Sequence, residues 1–255
     1  MPDAIEEIDS SLIRQLHDRG SIREYRPDPV PDEMITTVLN AACRAPSSCN
    51  QESYSIVVVR DIETRRKIRE ACGGGQPQIE QAPVFIAFCA DTRRVAHACA
   101  KYNKPFDSEH TLEMFLVSSI DTALVGMCAS LAAESIGLGT VMIGAVRNDI
   151  IAVSKILGLP PKVYPVFGLC VGWPVEAPPC KPRHPLNIVV HHEHYDGTGM
   201  EDGVTDYDRT LAAHYRSRGM PTVDHSWSQH MIERFSEPPR PDLRAELKEL
   251  GFDFR

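Results

Sequence analysis

The sequence predicts an α+β fold, with a central mixed β-sheet flanked by helices and a helical C-terminal extension. Three observations support this class. Short apolar runs rich in β-branched residues have the length of buried strands. Amphipathic patterns with a period of 3.6 residues lie between these runs. One almost uncharged segment, residues 119–148, joins a helix to a strand, and we expect it to form the centre of the fold.

The helix predicted in this central segment is apolar on nearly every side. Residues 122–133 carry no charge, and their small side chains recur at spacings of three and four. Such a helix has to be buried and permits close approach of another backbone. A membrane span is the alternative, but the run is shorter than the roughly 20 residues that a bilayer requires, and Asp121 and Glu134 bracket it. We therefore predict a core helix at a subunit contact, which ends at Gly137.

The remaining elements follow from periodicity and from turn residues. Helices are predicted over residues 5–16, 31–42, 63–70, 148–157, 207–218, 226–235 and 241–250. Strands are predicted over residues 54–59, 83–90, 140–146 and 164–173, with a short strand over 186–190. We expect Asp91 to cap the helix that follows it. We divide the chain into a core of residues 1–195 and a helical extension of residues 196–255, which packs on the core or on a partner subunit.

Charge and cysteine content limit the classes of function. The formal net charge is −8, so neither a nucleic acid nor an anionic membrane is expected as the main partner. The amino terminus has no apolar signal region, which favours a cytoplasmic protein. The eight cysteines form no C-x-x-C pair, and we expect reduced thiols rather than disulfides. Residues 191–194 contain three histidines, but adjacent strand residues face opposite sides, so no metal site is expected.

Four polar or basic loops lie next to predicted buried strands, over residues 19–23, 47–52, 74–76 and 181–183. Together they supply arginine, lysine, serine and amide side chains in an otherwise acidic protein. A phosphate monoester carries about −1.5 to −2 charges at neutral pH, so its binding requires several cations and small donors. Solvated surface loops are the alternative interpretation of the same residues.

Five segments also carry a family resemblance. They are R-G-S-I-R-E-Y at 19–25, A-P-S-S-C-N at 45–50, G-G-Q-P-Q-I-E-Q-A-P-V-F at 74–85, A-A-E-S-I-G-L-G-T-V-M-I-G-A-V-R-N at 132–148 and F-G-L-C-V-G-W-P-V-E-A-P-P-C-K-P-R-H-P at 167–185. In this order the chain resembles the nitroreductase superfamily, in its branch of NADPH-linked nitroreductases and flavin reductases. The tail matches more weakly, through H-Y-R-S-R-G at 214–219 and W-S-Q-H at 227–230.

The resemblance implies a nitroreductase-like fold that binds FMN. The residues implied for the phosphate and the neighbouring flavin edge are Arg19, Ser21, Arg23, Lys181 and Arg183. Those implied for the ribityl chain and the ring are Ser47, Ser48, Asn50 and Gln76, and those lining the ring near N5 are Met142, Ile143, Gly144 and Ala145. Arg218 and Arg240 are implied for NADPH. Departures from the family pattern are Gly20, Glu52 and Met142.

The function implied is that of an FMN-dependent NAD(P)H oxidoreductase with a ping-pong reaction. NADPH, or NADH in its place, is expected to reduce FMN, and nitroaromatics, quinones or free flavin to accept the electrons. No protein side chain is expected to act as nucleophile, because the flavin carries the chemistry. A homodimer with two FMN sites between the subunits is implied. The alternatives are a non-catalytic FMN-binding or sensor protein, and an FMN-dependent dehydrogenase or flavin-fragmenting relative.

Overall fold

A computed structural model of the chain describes residues 9–176, 179–219 and 226–254. The described residues fall into two compact units, one within residues 1–178 and 242–255 and the other within residues 179–241. We call them the sheet unit and the helical unit. The boundary that we predicted at residue 195 stays a prediction.

The described residues form ten α-helices and four strands. The helices are α1 (Ser11–Asp18), α2 (Asp32–Ala42), α3 (Ile62–Ala71), α4 (Gln78–Gln81), α5 (Arg93–Lys101), α6 (Leu112–Ser135), α7 (Ile150–Ile156), α8 (Met200–Ser217), α9 (Trp227–Phe235) and α10 (Leu243–Glu249). The strands are β1 (Tyr54–Val59), β2 (Val84–Asp91), β3 (Gly139–Ile143) and β4 (Val163–Gly172). Short 3₁₀ helices cover Ser48–Asn50, Asp107–His110, Gly144–Arg147 and Leu186–Ile188.

The four strands form one sheet in the order β1-β2-β4-β3. Sheet and flanking helices confirm the predicted α+β class, but every strand pair in the described chain is antiparallel, so the sheet there is not the mixed one that we predicted. The reason is that helical segments between two strands do not fix strand direction. β1 and β2 are antiparallel neighbours although α3 and α4 separate them, so this connection starts and finishes at the same end of the sheet.

β2 lies in the middle of the sheet unit and is buried along its whole length. Alternate β2 residues face two different core clusters: Phe85, Ala87 and Cys89 face one, and Val84, Ile86 and Phe88 face the other. A strand covered on both faces has no polar face, which explains its continuous apolar sequence. Both layers of helices therefore depend on this strand.

Helix α6 covers one face of the sheet and packs against all four strands and α2. Its 24 residues exceed the length that we predicted, and by length and composition it could cross a membrane. Our length argument against a span is therefore wrong. The helix instead buries nine of its residues, among them Val125, Ala129 and Ala133, which pack in the core under the sheet.

A close approach between α6 and the sheet occurs at Gly126. A Cβ atom on this residue would overlap the ring of Phe167 on β4, which stacks on Phe88 of β2 at a centroid distance of 5.3 Å. Only glycine allows the ring to lie directly against the helix backbone. The small residues of the central segment thus serve contact with the sheet within this chain.

Local sequence signals explain where several helices begin. The side chains of Ser10, Asp61, Thr111 and Asp149 each accept a hydrogen bond from the backbone N–H three residues later, at α1, α3, α6 and α7. These are the residue types that stabilise helix N-termini. Asp91 is the last residue of β2, and its Oδ1 accepts from the Arg93 N–H at the start of α5 at 2.9 Å. The N-cap residue of α5 is Thr92, not Asp91 as we predicted, although the Asp91 side chain does accept from the first N–H of that helix.

Besides α6, three predicted elements differ from the structure, and α4 has no predicted counterpart. The helix predicted over residues 207–218 begins earlier, because α8 covers Met200–Ser217. The short strand predicted over residues 186–190 is wrong, because Leu186–Ile188 forms a 3₁₀ helix after Pro185. The strand predicted over residues 140–146 ends at Ile143, and Gly144–Arg147 turns as a 3₁₀ helix. The β-branched content of both segments indicated extended backbone, but local turn hydrogen bonds formed instead. The first residues of the helix predicted over residues 5–16 lie outside the described ranges.

The last helix of the chain belongs to the sheet unit. Leu247 and Phe252 are buried beside Ile150 and Tyr164, and the ring of Phe115 on α6 stacks on Tyr164 at 5.2 Å. This aromatic cluster fixes α10 to the core. The helical unit has its own contacts: Gly203 on α8 packs against Ile188, and the Ser228 N–H donates to Asp208 Oδ1 at 2.8 Å.

We predict that Gly126→Ala lowers the free energy of unfolding by about 1–3 kcal/mol, because the added methyl group displaces the Phe167 ring. Alanine gains about 1 kcal/mol in helix propensity, which offsets only part of this loss. Urea denaturation of the apoprotein measures the change. Gly75→Ala is the matched control, because its Cβ would meet nothing within 4 Å. Equal stability of both variants would contradict the tight contact.

Candidate functional site

The loop at residues 19–25 is anchored to the sheet by its middle residue. The Ile22 N–H donates to the Thr140 carbonyl of β3 at 2.9 Å, and its side chain is buried against Gly139. The Tyr25 hydroxyl donates to the Ile22 carbonyl at 2.8 Å, and burial raises the pKa of Tyr25 well above its ordinary value. The phenol therefore stays protonated as a hydrogen-bond donor. The exposed Arg23 side chain extends from a backbone fixed on both sides.

Arg19 is held by the half-buried carboxylate of Glu134. Its Nε and Nη2 donate to the two oxygens of Glu134 at 3.3 and 3.1 Å. The hydroxyls of Ser130 and Thr140 donate to Glu134 Oε1 as well. This network connects the first loop, the end of α6 and β3. Because Glu134 offsets the charge of Arg19, the structure gives this arginine an anchoring contact in addition to the predicted role at a phosphate, which stays a prediction.

A cavity of about 740 Å³ lies beside the loop. Its wall is made by Arg23, Glu24, Tyr25, Gly75, Gln76, Pro77, Gln78, Gln81 and Val175. The structure therefore brings together Arg23 and Gln76, which the sequence places about 50 residues apart and which we predicted for one ligand. Cofactor pockets have volumes of about 300–1,000 Å³, so this cavity is of ordinary size for such a ligand.

The polar loop before β1 has an unusual backbone. Cys49, Asn50 and Glu52 all have positive φ angles, between 49° and 54°. Such angles are uncommon in residues other than glycine and mark strained, often functional, segments. The Ser47 hydroxyl accepts from the Glu52 N–H at 3.2 Å. Ser48, Cys49 and Asn50 are exposed, so the loop presents its side chains to solvent in the single chain.

Asp121 supports this loop from below and was missed as a functional residue in the sequence. It is 1% exposed in the middle of α6, and its Oδ1 accepts from the Ser48 N–H at 3.0 Å. Its Oδ2 has no hydrogen-bond partner among the residues that the structure describes. The signal for such a residue in the sequence is a carboxylate at the edge of an apolar helical run. From the sequence alone, we interpret this carboxylate only as a charge that limits a membrane span.

The turn after β3 contains the residues predicted to line the flavin ring. Met142 is 37% exposed, Ile143 is buried, and Gly144 begins the 3₁₀ turn. A Cβ on Gly144 would lie 3.4 Å from Nη2 of Arg147, which donates from its Nη1 to the Val166 carbonyl. The Asn148 amide donates to the Cys72 carbonyl at 2.9 Å. This turn is therefore tied to the segment that leads into Gln76.

The cavity does not contain all the predicted residues of the sheet unit. Ser47, Ser48 and Asn50 are absent from its wall, as are Met142, Ile143, Gly144 and Ala145. The structure thus unites Arg23 with Gln76. It fixes the two other segments separately, one to α6 and one to the Cys72 backbone. The binding roles predicted for all these residues stay predictions.

The basic residues of the helical unit have local partners. Lys181 Nζ donates to the Tyr215 hydroxyl at 2.9 Å, and Arg183 Nη1 donates to the Lys181 carbonyl at 3.1 Å. Arg218 is exposed at the end of α8, and Arg240 is half-buried after α9. Their predicted contacts with phosphate and NADPH stay predictions.

The cysteines and histidines form no further centre in the described ranges. All eight cysteines are free thiols, and burial raises the pKa of Cys89 to about 12. No group of three histidine, cysteine or acidic side chains in the described chain is arranged to hold a metal ion.

We predict that Asp121→Ala raises the hydrogen-exchange rate of the Ser48 amide by about tenfold or more, because the amide loses a charged acceptor worth about 1.5–3 kcal/mol. Asp121→Asn keeps an acceptor oxygen and is expected to retain most of the protection. Exchange of a peptide covering residues 46–52, followed by mass spectrometry, measures both. Unchanged exchange in Asp121→Ala would show that the carboxylate does not hold the loop.

Comparison with known proteins places these features in a family. Residues 16–173 match the Nitroreductase family, and residues 181–255 match the Nitroreductase family, C-terminal domain. The chain is 36% identical over 246 residues to FMN reductase [NAD(P)H] of Bacillus subtilis strain 168, covering 95% of this chain and 98% of that protein. It is 37% identical over 249 residues to oxygen-insensitive NADPH nitroreductase of Salmonella typhimurium, covering 96% and 100%.

Solved structures agree with the sequence comparisons. B. megaterium NfrA2 superposes with a TM-score of 0.93 at 36% identity, over 97% of this chain and 100% of that chain. NADPH:FMN oxidoreductase from Vibrio harveyi, complexed with NAD+, has a TM-score of 0.86 at 32% identity, over 96% and 100%. The sheet, the two anchored loops and the family matches across nearly the whole chain lead to one conclusion: the chain belongs to the nitroreductase family.

Proposed function

We propose that this chain is an FMN-dependent NAD(P)H oxidoreductase. The relatives that it matches over nearly their full length are named FMN reductase, NADPH nitroreductase and NADPH-flavin oxidoreductase. The structural observation that carries the proposal is the cavity with Arg23 and Gln76 on its wall. The acceptors proposed are nitroaromatics, quinones or free flavin.

The residues present at this cavity fit FMN. An exposed arginine offers a planar set of donors that matches a phosphate, and the amide of Gln76 suits the carbonyl and nitrogen edge of a flavin. Gly75 on the same wall has no side chain, and a Cβ there would meet no atom within 4 Å, so a ligand can lie against the backbone. When bound, FMN accepts hydride from a nicotinamide and passes electrons to an acceptor.

The chain's own contribution is to bind and to orient. Arg23 is proposed to compensate the phosphate charge, and Ser21 to add a donor. Ser47, Ser48 and Asn50 are proposed to bind the ribityl chain and ring from the loop that Asp121 supports. The turn at Met142–Ala145 is proposed to line the reactive face, and Gly144 admits a close contact with its backbone. Arg218 and Arg240 are proposed to bind NADPH.

We infer a homodimer from one surface of α6. Leu112, Leu116, Ile120 and Leu124 lie on one stripe of this helix and are between 39% and 56% exposed. A stripe of large apolar side chains of this kind marks a protein contact. Since the opposite side of α6 is already buried, we propose that a second copy of the chain covers the stripe and completes the two FMN sites. We also propose a cytoplasmic location, in agreement with eight free thiols.

The function is tested by reconstitution with FMN followed by anaerobic mixing with NADPH. We expect a yellow protein whose oxidised-flavin absorption bleaches rapidly on mixing and recovers when a quinone is added. A protein that binds FMN but does not bleach would support the sensor alternative. Arg23→Ala is expected to weaken FMN binding by about tenfold or more, through loss of a charged hydrogen bond. The exposed Arg93→Ala is the control, expected to bind normally.

We predict that Ile120→Glu converts the dimer into a monomer, because the change places a charge in the centre of the apolar stripe. Sedimentation velocity measures the mass, and FMN titration of the same sample measures whether the site is lost with the dimer. Ile62→Glu on α3 is the matched control, since Ile62 is 52% exposed and lies on another helix. A wild-type monomer that retains FMN would refute the dimeric site.

A further inference from the structure

Gln78 lies directly behind Gln76 on the wall of the cavity. It is 4% exposed at the start of α4, and its Nε2 donates to Gln76 Oε1 at 2.6 Å. The backbone carbonyl of Gln76 accepts from the Ile79 N–H at 3.1 Å. Both the main chain and the side chain of Gln76 are therefore held by the same short helix.

The helix that holds Gln76 is itself fixed to the core. Ile79 and Ala82 are fully buried, and the Ala82 N–H donates to the Gln78 carbonyl at 3.0 Å. Arg65, which is 6% exposed, donates to the carbonyls of Glu80 and Ala82. Burial lowers the pKa of Arg65 below its ordinary range. A buried amide on such a support has little freedom to turn.

We propose that Gln78 is a positioning residue of the FMN site, acting through Gln76. Its N–H fixes the carbonyl end of the Gln76 amide toward α4. The NH₂ end of Gln76 is then presented to the cavity as a donor. The ligand atom that meets it is an acceptor, such as a carbonyl oxygen or an unprotonated ring nitrogen of the flavin. This inference rests on the proposed function, because it concerns the same cavity.

The alternative role for Gln78 is structural, in which two amides satisfy each other and stabilise the turn. The two roles differ in one respect. A positioning residue affects the ligand only while Gln76 is present, whereas a structural residue affects the fold in every background. A double-mutant cycle distinguishes them, because its coupling term isolates the interaction between two residues.

The experiment compares FMN dissociation constants of wild type, Gln78→Met, Gln76→Ala and the double variant, measured by quenching of flavin fluorescence. We expect Gln78→Met to weaken binding about five- to tenfold, because the Gln76 amide loses its fixed orientation. In the Gln76→Ala background the same change is expected to alter binding less than about twofold. Gln229→Met is the control, since this glutamine lies on α9 and is absent from the cavity wall.

A second variant tests the direction of the amide. Gln78→Glu keeps the size of the side chain and its hydrogen bond to Gln76, so the turn is retained. A carboxylate accepts rather than donates, and the Gln76 amide then rotates to present its oxygen to the cavity. We expect binding weakened at least as much as in Gln78→Met, with a shifted visible spectrum of the bound flavin. Wild-type binding and spectrum in this variant would overturn the proposal.

The remaining outcomes separate the two proposals. Equal losses of affinity for Gln78→Met in both backgrounds would establish a structural role and overturn the positioning role alone. No loss in either background would overturn it as well. A wild-type protein that binds no FMN would overturn the proposed function together with this inference.

Discussion

The contact between α6 and the sheet is the constraint on which the other features depend. α6 buries a full face against four strands, and Gly126 allows the Phe167 ring to touch its backbone. The same helix supplies Asp121 beneath the polar loop and Glu134 beneath Arg19. Because these two carboxylates are three to four turns apart on one helix, the positions of two loops are set by a single packing surface. Displacement of α6 would move both.

Each loop of the candidate site is held by a hydrogen bond made by one of its residues, and side chains beside that residue are exposed. Ile22 is hydrogen bonded to β3, Ser48 to α6, Gln76 to α4, and Asn148 to the Cys72 carbonyl. In each case a hydrogen bond to the core or to a neighbouring segment holds the loop in place. This arrangement suits a cofactor that carries its own chemistry, because the protein then needs accurate placement of donors more than a reactive side chain. The exposed apolar stripe on α6 is the surface that we propose a second chain covers.

Arg19 and Arg23 differ in how the charge of each side chain is balanced within the chain. Arg19 forms an ion pair with Glu134, so its charge is largely compensated within the chain. Arg23 lies on the cavity wall and donates a long hydrogen bond, of 3.4 Å, to the Ser21 carbonyl. Of these two arginines, Arg23 is therefore the one that we propose as the main contact of the phosphate. Charge balance within the fold distinguishes two arginines that are equivalent in the sequence.

The sequence by itself determined the four strands and the helices α2, α3, α7 and α10 to within a few residues, and motif order indicated the family. Periodicity and turn residues are local, so they can be read from neighbouring residues. The tertiary structure alone decided strand direction, the length of α6 and the turn after Ile143, which depend on contacts between distant segments. It also decided which polar residues form hydrogen bonds with each other. The bonds from Asp121 to Ser48 and from Glu134 to Arg19 join residues 73 and 115 positions apart, and no local pattern records such distances.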